Sequence, residues 1–82
     1  MRVKFDPVVI GREAVVTGRF RYLRRRIGMS EEGAGRLFGV SRSTIAKWET
    51  GLRLPSPRHA RAIAEALPDL EAMAARIGRG TQ

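Results

Sequence analysis

The sequence predicts an all-α fold: a compact bundle of about five helices, two of them short and set back to back around a tight turn. Three observations carry this reading. Apolar residues recur at helical spacing, as at Phe20, Leu23 and Ile27. Asp6-Pro7 and Ser56-Pro57 each pair a capping side chain with proline at a first helical position. Glycines at 28, 39 and 51 fall where helical patterns stop.

The elements follow in order. Met1 to Asp6 reads as extended, with Val3 and Phe5 alternating against Arg2, Lys4 and Asp6. From Pro7 the pattern is helical but interrupted by Gly11 and Gly18, and it leaves open one long imperfect helix or two pieces broken near Gly18. Between Gly18 and Ile27 one face is apolar, and Arg19, Arg21, Arg25 and Arg26 occupy the others. Ser30, followed by Glu31 and Glu32, caps a short helix that ends at Gly39. Ser41 caps the next, which runs through Ile45 and Trp48 to about Glu49 and stops at Gly51. Leu52 to Pro55 is a loop. Ser56-Pro57 opens a helix with Ile63 and Leu67 inward, which Pro68 is expected to break. Asp69 then begins a last helix with Leu70, Met73 and Ile77 on one stripe, and Gly78 to Gln82 frays. That stripe either pads the core against Val8, Val9 and Ile10 or forms a dimer surface; a short chain favours padding. The expected organisation is an N-terminal extension, partly helical, over 1–17, a central helical domain over 18–67, and a C-terminal helix with frayed tail over 68–82.

Composition narrows the function. A chain of 82 residues is one domain. It has no cysteine, which excludes disulfides and cysteine-containing zinc sites. One histidine leaves little material for another metal site, so no metal and no cofactor are expected. No apolar run approaches the ~18 residues of a membrane span, and Met1 to Lys4 lacks the features of a secretory signal. The expectation is a cytoplasmic, nucleoid-associated protein with no membrane partner. Sixteen Lys and Arg against eight Asp and Glu give a formal charge of +8. Such a field draws polyanions.

The turn Gly39-Val40-Ser41 gives the charge a purpose. Two short helices joined this tightly form a helix-turn-helix, whose second helix enters the DNA major groove. Val40, Ile45 and Trp48 can pack inward, which leaves Arg42, Ser43, Ala46 and Lys47 outward. An arginine in the first turn suits a bidentate contact with guanine, and serine can meet several base edges. Trp48 is expected in the core rather than as a stacking platform, and His59 on the surface. Glu31 and Glu32 suit a helix start and have no evident nucleophile beside them, so no catalytic residue and no enzyme activity are expected.

The segments FRYLRRRIGMS, LFGVSRSTIAKWETG and LPSPRHARAIAEAL, spanning Phe20 to Leu67, resemble the lambda-repressor/Cro-like (XRE-type) helix-turn-helix family. The run GVSRSTIAKWETG carries most of the specificity. The resemblance implies that Ser41, Arg42, Ser43 and Lys47 approach bases, and that Arg24 pairs with Glu49 to tie the family's first helix to the recognition helix. It also places Arg53 beside the DNA backbone, with Arg58 and Thr50 as further phosphate candidates; Arg25 and Arg26 join them from the basic cluster. Two departures stand out. Glu31 replaces a glutamine that contacts phosphate in the family, and a carboxylate there would repel one. Ala34-Gly35 replaces a larger pair, which either allows closer helix approach or simply costs stability, ~1 kcal/mol for glycine inside a helix.

The expected function is a sequence-specific transcriptional regulator, with a repressor preferred. Double-stranded DNA is the expected partner, with a homodimer on a palindromic operator as a further candidate. Two alternatives share the fold: the antitoxin of a toxin–antitoxin pair, with a toxin partner, and a phage-type architectural or recombination accessory protein.

Overall fold

The structure is a computed structural model and describes residues 5–80; the first four residues of the stretch expected to be extended, Met1 to Asp6, and the last two residues of the expected frayed tail lie outside the described residues. Five helices follow one another with no strand among the described residues: α1 (Pro7–Val16), α2 (Arg19–Arg26), α3 (Glu31–Phe38), α4 (Arg42–Glu49) and α5 (Pro57–Gly80).

Local chemistry sets their limits. Asp6 caps α1 by accepting from the Val8 amide at 2.7 Å, with Pro7 in the first turn. Gly18, at φ 82°, separates α1 from α2, so the pattern from Pro7 resolves into two helices rather than one. Ser30 Oγ accepts from the Gly33 amide at 2.9 Å to open α3, and Ser41 Oγ accepts from the Thr44 amide at 3.0 Å to open α4. Each of these hydroxyls satisfies an amide that a helix start leaves without a partner.

The core is a single cluster. Phe20 and Leu23 of α2, Ala34 of α3, Ile45 and Trp48 of α4, and Ile63, Leu67 and Leu70 of α5 are all buried. Phe20 and Phe38 meet with ring centroids 5.8 Å apart and tilted by 57°, a favourable arrangement for two ring quadrupoles. The small pair in α3 has a spatial reason. A Cβ on Gly35 would stand 2.5 Å from the Val40 carbonyl oxygen, so its absence lets α3 close onto the turn that leads into α4. Close approach, rather than a simple loss of stability, accounts for the glycine.

Two expectations about the chain ends change. Pro68 does not break a helix: α5 runs unbroken from Pro57 to Gly80, and residues 78–80 are helical rather than frayed. Proline inside a helix removes one hydrogen bond and crowds the preceding turn, costing about 3 kcal/mol. Here Leu67 and Leu70 are buried on either side of it, while Pro68 itself is exposed. Burying two such side chains contributes roughly 1.5–3 kcal/mol each, enough to hold one helix through the proline. The stripe below it is only partly used, since Leu70 is buried but Met73 and Ile77 are exposed.

The N-terminal helix contributes to the core. Ala14 and Val15 of α1 are buried; of the three residues expected to meet the α5 stripe, Val8 is half-buried and Val9 and Ile10 are exposed. Gly11 is buried against α5 so closely that a Cβ there would overlap the Ala60 carbonyl.

One ion pair joins α2 to the end of α4. Arg24 Nε and Nη2 donate to the two carboxylate oxygens of Glu49 at 2.7 and 2.8 Å, and Arg24 Nη1 donates to the Met29 carbonyl at 2.9 Å. Both side chains are nearly inaccessible, at 7 % and 3 %. The hydrogen bonds to Glu49 push the Arg24 pKa above its ordinary value; burial opposes this, and the charges of Glu49 and Glu31 add to it. The guanidinium therefore stays charged at every pH at which the fold is of interest.

Gly11→Ala should lower stability by about 1–3 kcal/mol in urea unfolding, through overpacking against α5, whereas Glu13→Ala on the exposed side of α1 should change it little. Arg24→Met should cost about 3–5 kcal/mol, because the Glu49 carboxylate is left buried without its two hydrogen bonds, with only the Arg21 Nε at 3.9 Å beside it. The double variant Arg24→Met/Glu49→Leu should melt at a higher temperature than the single one.

Candidate nucleic-acid interface

Helix α4 has one anchored side and one open side. Ile45 and Trp48 are buried and Val40 just before the helix is half-buried, while Glu49 is held by Arg24. Arg42, Ser43 and Lys47 are exposed around a half-buried Ala46. Ser41 is exposed too, but its hydroxyl is engaged with the Thr44 amide and the Thr44 hydroxyl, both at 3.0 Å. The structure thus sets Arg42, Ser43 and Lys47 side by side on a rigid helix, with Ser41 as its cap.

Each flank of this face has its own chemistry. On the α3 side, Glu31 Oε1 lies 3.7 Å from Arg42 Nε, and Ser30, Arg24 and Arg25 border the same groove. The carboxylate that replaces the family's glutamine is therefore engaged with the first arginine of α4. That ion pair is loose, since the Arg42 side chain is 73 % exposed, and exposed pairs contribute little to stability. Its consequence is positional. On the opposite flank, Thr44 and Trp48 face a cleft whose other walls are Arg12, Arg53, Ser56 and His59.

The basic cluster of α2 divides by function. Arg24 is bound to Glu49, and Arg21 lies 3.9 Å from the same carboxylate. Arg19 donates to Glu71 of α5 at 2.9 Å. Arg25 is exposed on the α3–α4 flank. Arg26 is also exposed, but its Nη2 lies 3.0 Å from where a Cβ on Gly78 would stand, toward the end of α5. The structure brings Arg25 to the open face of the molecule's reading unit and leaves Arg26 against α5.

Of the remaining candidates, Arg53 is exposed in the loop after α4, and its amide donates to the Lys47 carbonyl at 3.2 Å. Arg58 is exposed in the first turn of α5. Thr50 is exposed, with its hydroxyl donating to the Ala46 carbonyl at 2.9 Å. Two residues differ from expectation or were missed. His59 is not a simple surface residue. Its ring packs on Trp48 with centroids 5.6 Å apart, Nδ1 lies 2.9 Å from Ser56 Oγ, and Nε2 is shielded without a hydrogen-bond partner among the described residues. The three-residue spacing from Ser56 to His59 was a readable capping signal; the tertiary contact with Trp48 was not. Arg12, with nothing in its local sequence to single it out, reaches this region by donating from Nε to the Pro55 carbonyl at 3.0 Å.

Among the described residues there is no group of three side chains able to hold a metal, and no helix long and apolar enough to cross a membrane. A family model described as helix-turn-helix matches residues 20–72, which covers α2 to α4 and two thirds of α5 but leaves α1 outside. No curated protein and no solved structure matches the chain. With its two short helices closed by Gly35 and its recognition helix tied back by the Arg24–Glu49 pair, the chain belongs to the lambda-repressor/Cro-like helix-turn-helix family of DNA-binding regulators.

Proposed function

We propose that the protein is a sequence-specific transcriptional repressor that reads the major groove with Arg42, Ser43 and Lys47, assisted by Ser41. The observation that carries this is the asymmetry of α4: one side is fixed by the core and by Glu49, and the other presents exposed polar side chains in one contiguous face. A helix held on one side and polar on the other matches what groove insertion requires. The formal charge of +8 supplies attraction to the backbone, and base contacts from α4 supply the preference.

Within this reading Glu31 has a role that a phosphate clamp could not give it. Facing Arg42 at 3.7 Å, it biases the direction of the guanidinium toward the α3 side of the reading face. Arg25, Arg53, Arg58 and Thr50 are the proposed phosphate contacts. Glu31 and Glu32 are helix-start acids in this reading and the protein is a binder without catalytic activity. Repression follows from occupancy: a domain seated in a promoter groove excludes other proteins from it. Two copies would meet half-sites about 34 Å apart, one turn of DNA.

Selection of bound duplexes from a random pool, read for a shared motif, tests the proposal directly; absence of any enriched motif would sink it. On the selected site, Arg42→Ala should cost about 1–3 kcal/mol and relax the preference at one base position. Affinity should fall linearly with log salt, with a slope of about −0.9 per phosphate contact.

A further inference from the structure

We propose that the cleft between α1 and the loop after α4 is a binding site for a DNA backbone phosphate, with Arg12 as a contact contributed from outside the family-matched residues. The proposal rests on the DNA reading above. The cleft has a volume of about 350 Å³; Arg12, Thr44, Arg53, Ser56 and His59 line it, Trp48 forms part of its wall, and no carboxylate is among its lining residues. Two guanidinium groups and two hydroxyls in one concavity make a donor set for an anion, and arginine's planar fork suits a phosphate in particular.

Position argues for a phosphate on DNA. Along α4, Thr44 and Trp48 lie one turn apart on the flank next to Ser43 and Lys47, while Arg42 and Glu49 lie on the flank facing Glu31 and Arg24. A helix seated in the major groove has a sugar–phosphate backbone on either side, in a groove about 12 Å wide. The cleft therefore borders the strand on the α1 side. The 24-residue α5 begins at its edge with no acidic residue in the first turn, so the positive end of that helix is unopposed there.

Arg12 is placed rather than free to search. Its Nε–H is fixed on the Pro55 carbonyl, it has no other hydrogen-bond or ion-pair partner among the described residues, and its helix is locked to α5 through the Gly11–Ala60 contact. Its terminal nitrogens keep their donors for a ligand. Such pre-organisation lowers the entropy lost on binding.

The test uses the full chain and the tightest duplex recovered by selection, with single methylphosphonate substitutions scanned along both strands. Arg12→Gln should weaken binding on the order of tenfold near 0.1 M salt and flatten the log–log salt slope by about 0.9. Its base preference should stay that of the wild type, and Arg12→Lys should restore most of the slope. One methylphosphonate position that weakens the wild type should no longer affect Arg12→Gln. If Arg12→Gln binds less well yet responds to every methylphosphonate as the wild type does, Arg12 acts only by bracing the loop and the proposal fails. Titration with inorganic phosphate alone, followed by NMR, separates the other source. Saturable shifts at Arg12 and Ser56 that persist unchanged in the DNA complex would assign the cleft to free phosphate and overturn the DNA contact. A wild type that binds no duplex would refute the DNA reading itself, an outcome distinct from loss of the Arg12 effect alone.

Discussion

The bidentate contact between Arg24 and Glu49 is the constraint on which the reading unit depends. It joins the last turn of α2 to the last residue of α4, and through the Met29 carbonyl it also fixes the turn leading into α3. Without it, α4 would be an eight-residue helix held by two buried side chains and a cap, and so short a helix is marginal by itself. A buried ion pair is weak evidence for stability, because desolvation offsets most of its Coulomb energy. Its geometry is what matters: two hydrogen bonds in one plane fix the rotation of α4 about its own axis. That rotation decides whether Arg42, Ser43 and Lys47 point outward together.

Around this pair the protein uses absent side chains as much as present ones. Gly35 lets α3 meet the turn before α4, and Gly11 lets α1 meet α5. Both are close approaches of backbone to backbone, and both set distances that larger residues would forbid. The Glu31–Arg42 contact is of a different kind. It is exposed and loose, so it adjusts the direction of one side chain rather than the arrangement of helices.

Much of the fold was legible in the sequence because its signals were local. Asp6, Ser30 and Ser41 are capping residues whose partners lie two or three positions ahead, and Phe20 and Leu23 of α2, like Ile45 and Trp48 of α4, sit at a three-residue spacing that places each pair on one helix face. What escaped were effects decided by partners far along the chain. Pro68 reads as a breaker from its ring and missing amide, yet the burial of Leu67 and Leu70 carries α5 through it. His59 looks like a lone surface residue until Trp48, eleven positions earlier, is found beneath it. Arg12 has no local feature that separates it from the other arginines, and only its contact with Pro55 brings it to α4. The same holds for the α2 arginines, whose assignments to Glu49, to Glu71 or to the open flank follow from tertiary position.

The packing of α1 on α5 also has a kinetic meaning. It brings Gly11 against Ala60, 49 positions along the chain, with the segments that carry the reading face lying between them in sequence. The pairing of α3 with α4, by contrast, closes a few residues across one turn. Local contacts of that kind form early, since little loop entropy opposes them, and long-range ones form late. Loop entropy alone therefore places closure of the α3–α4 turn ahead of the packing of α1 on α5.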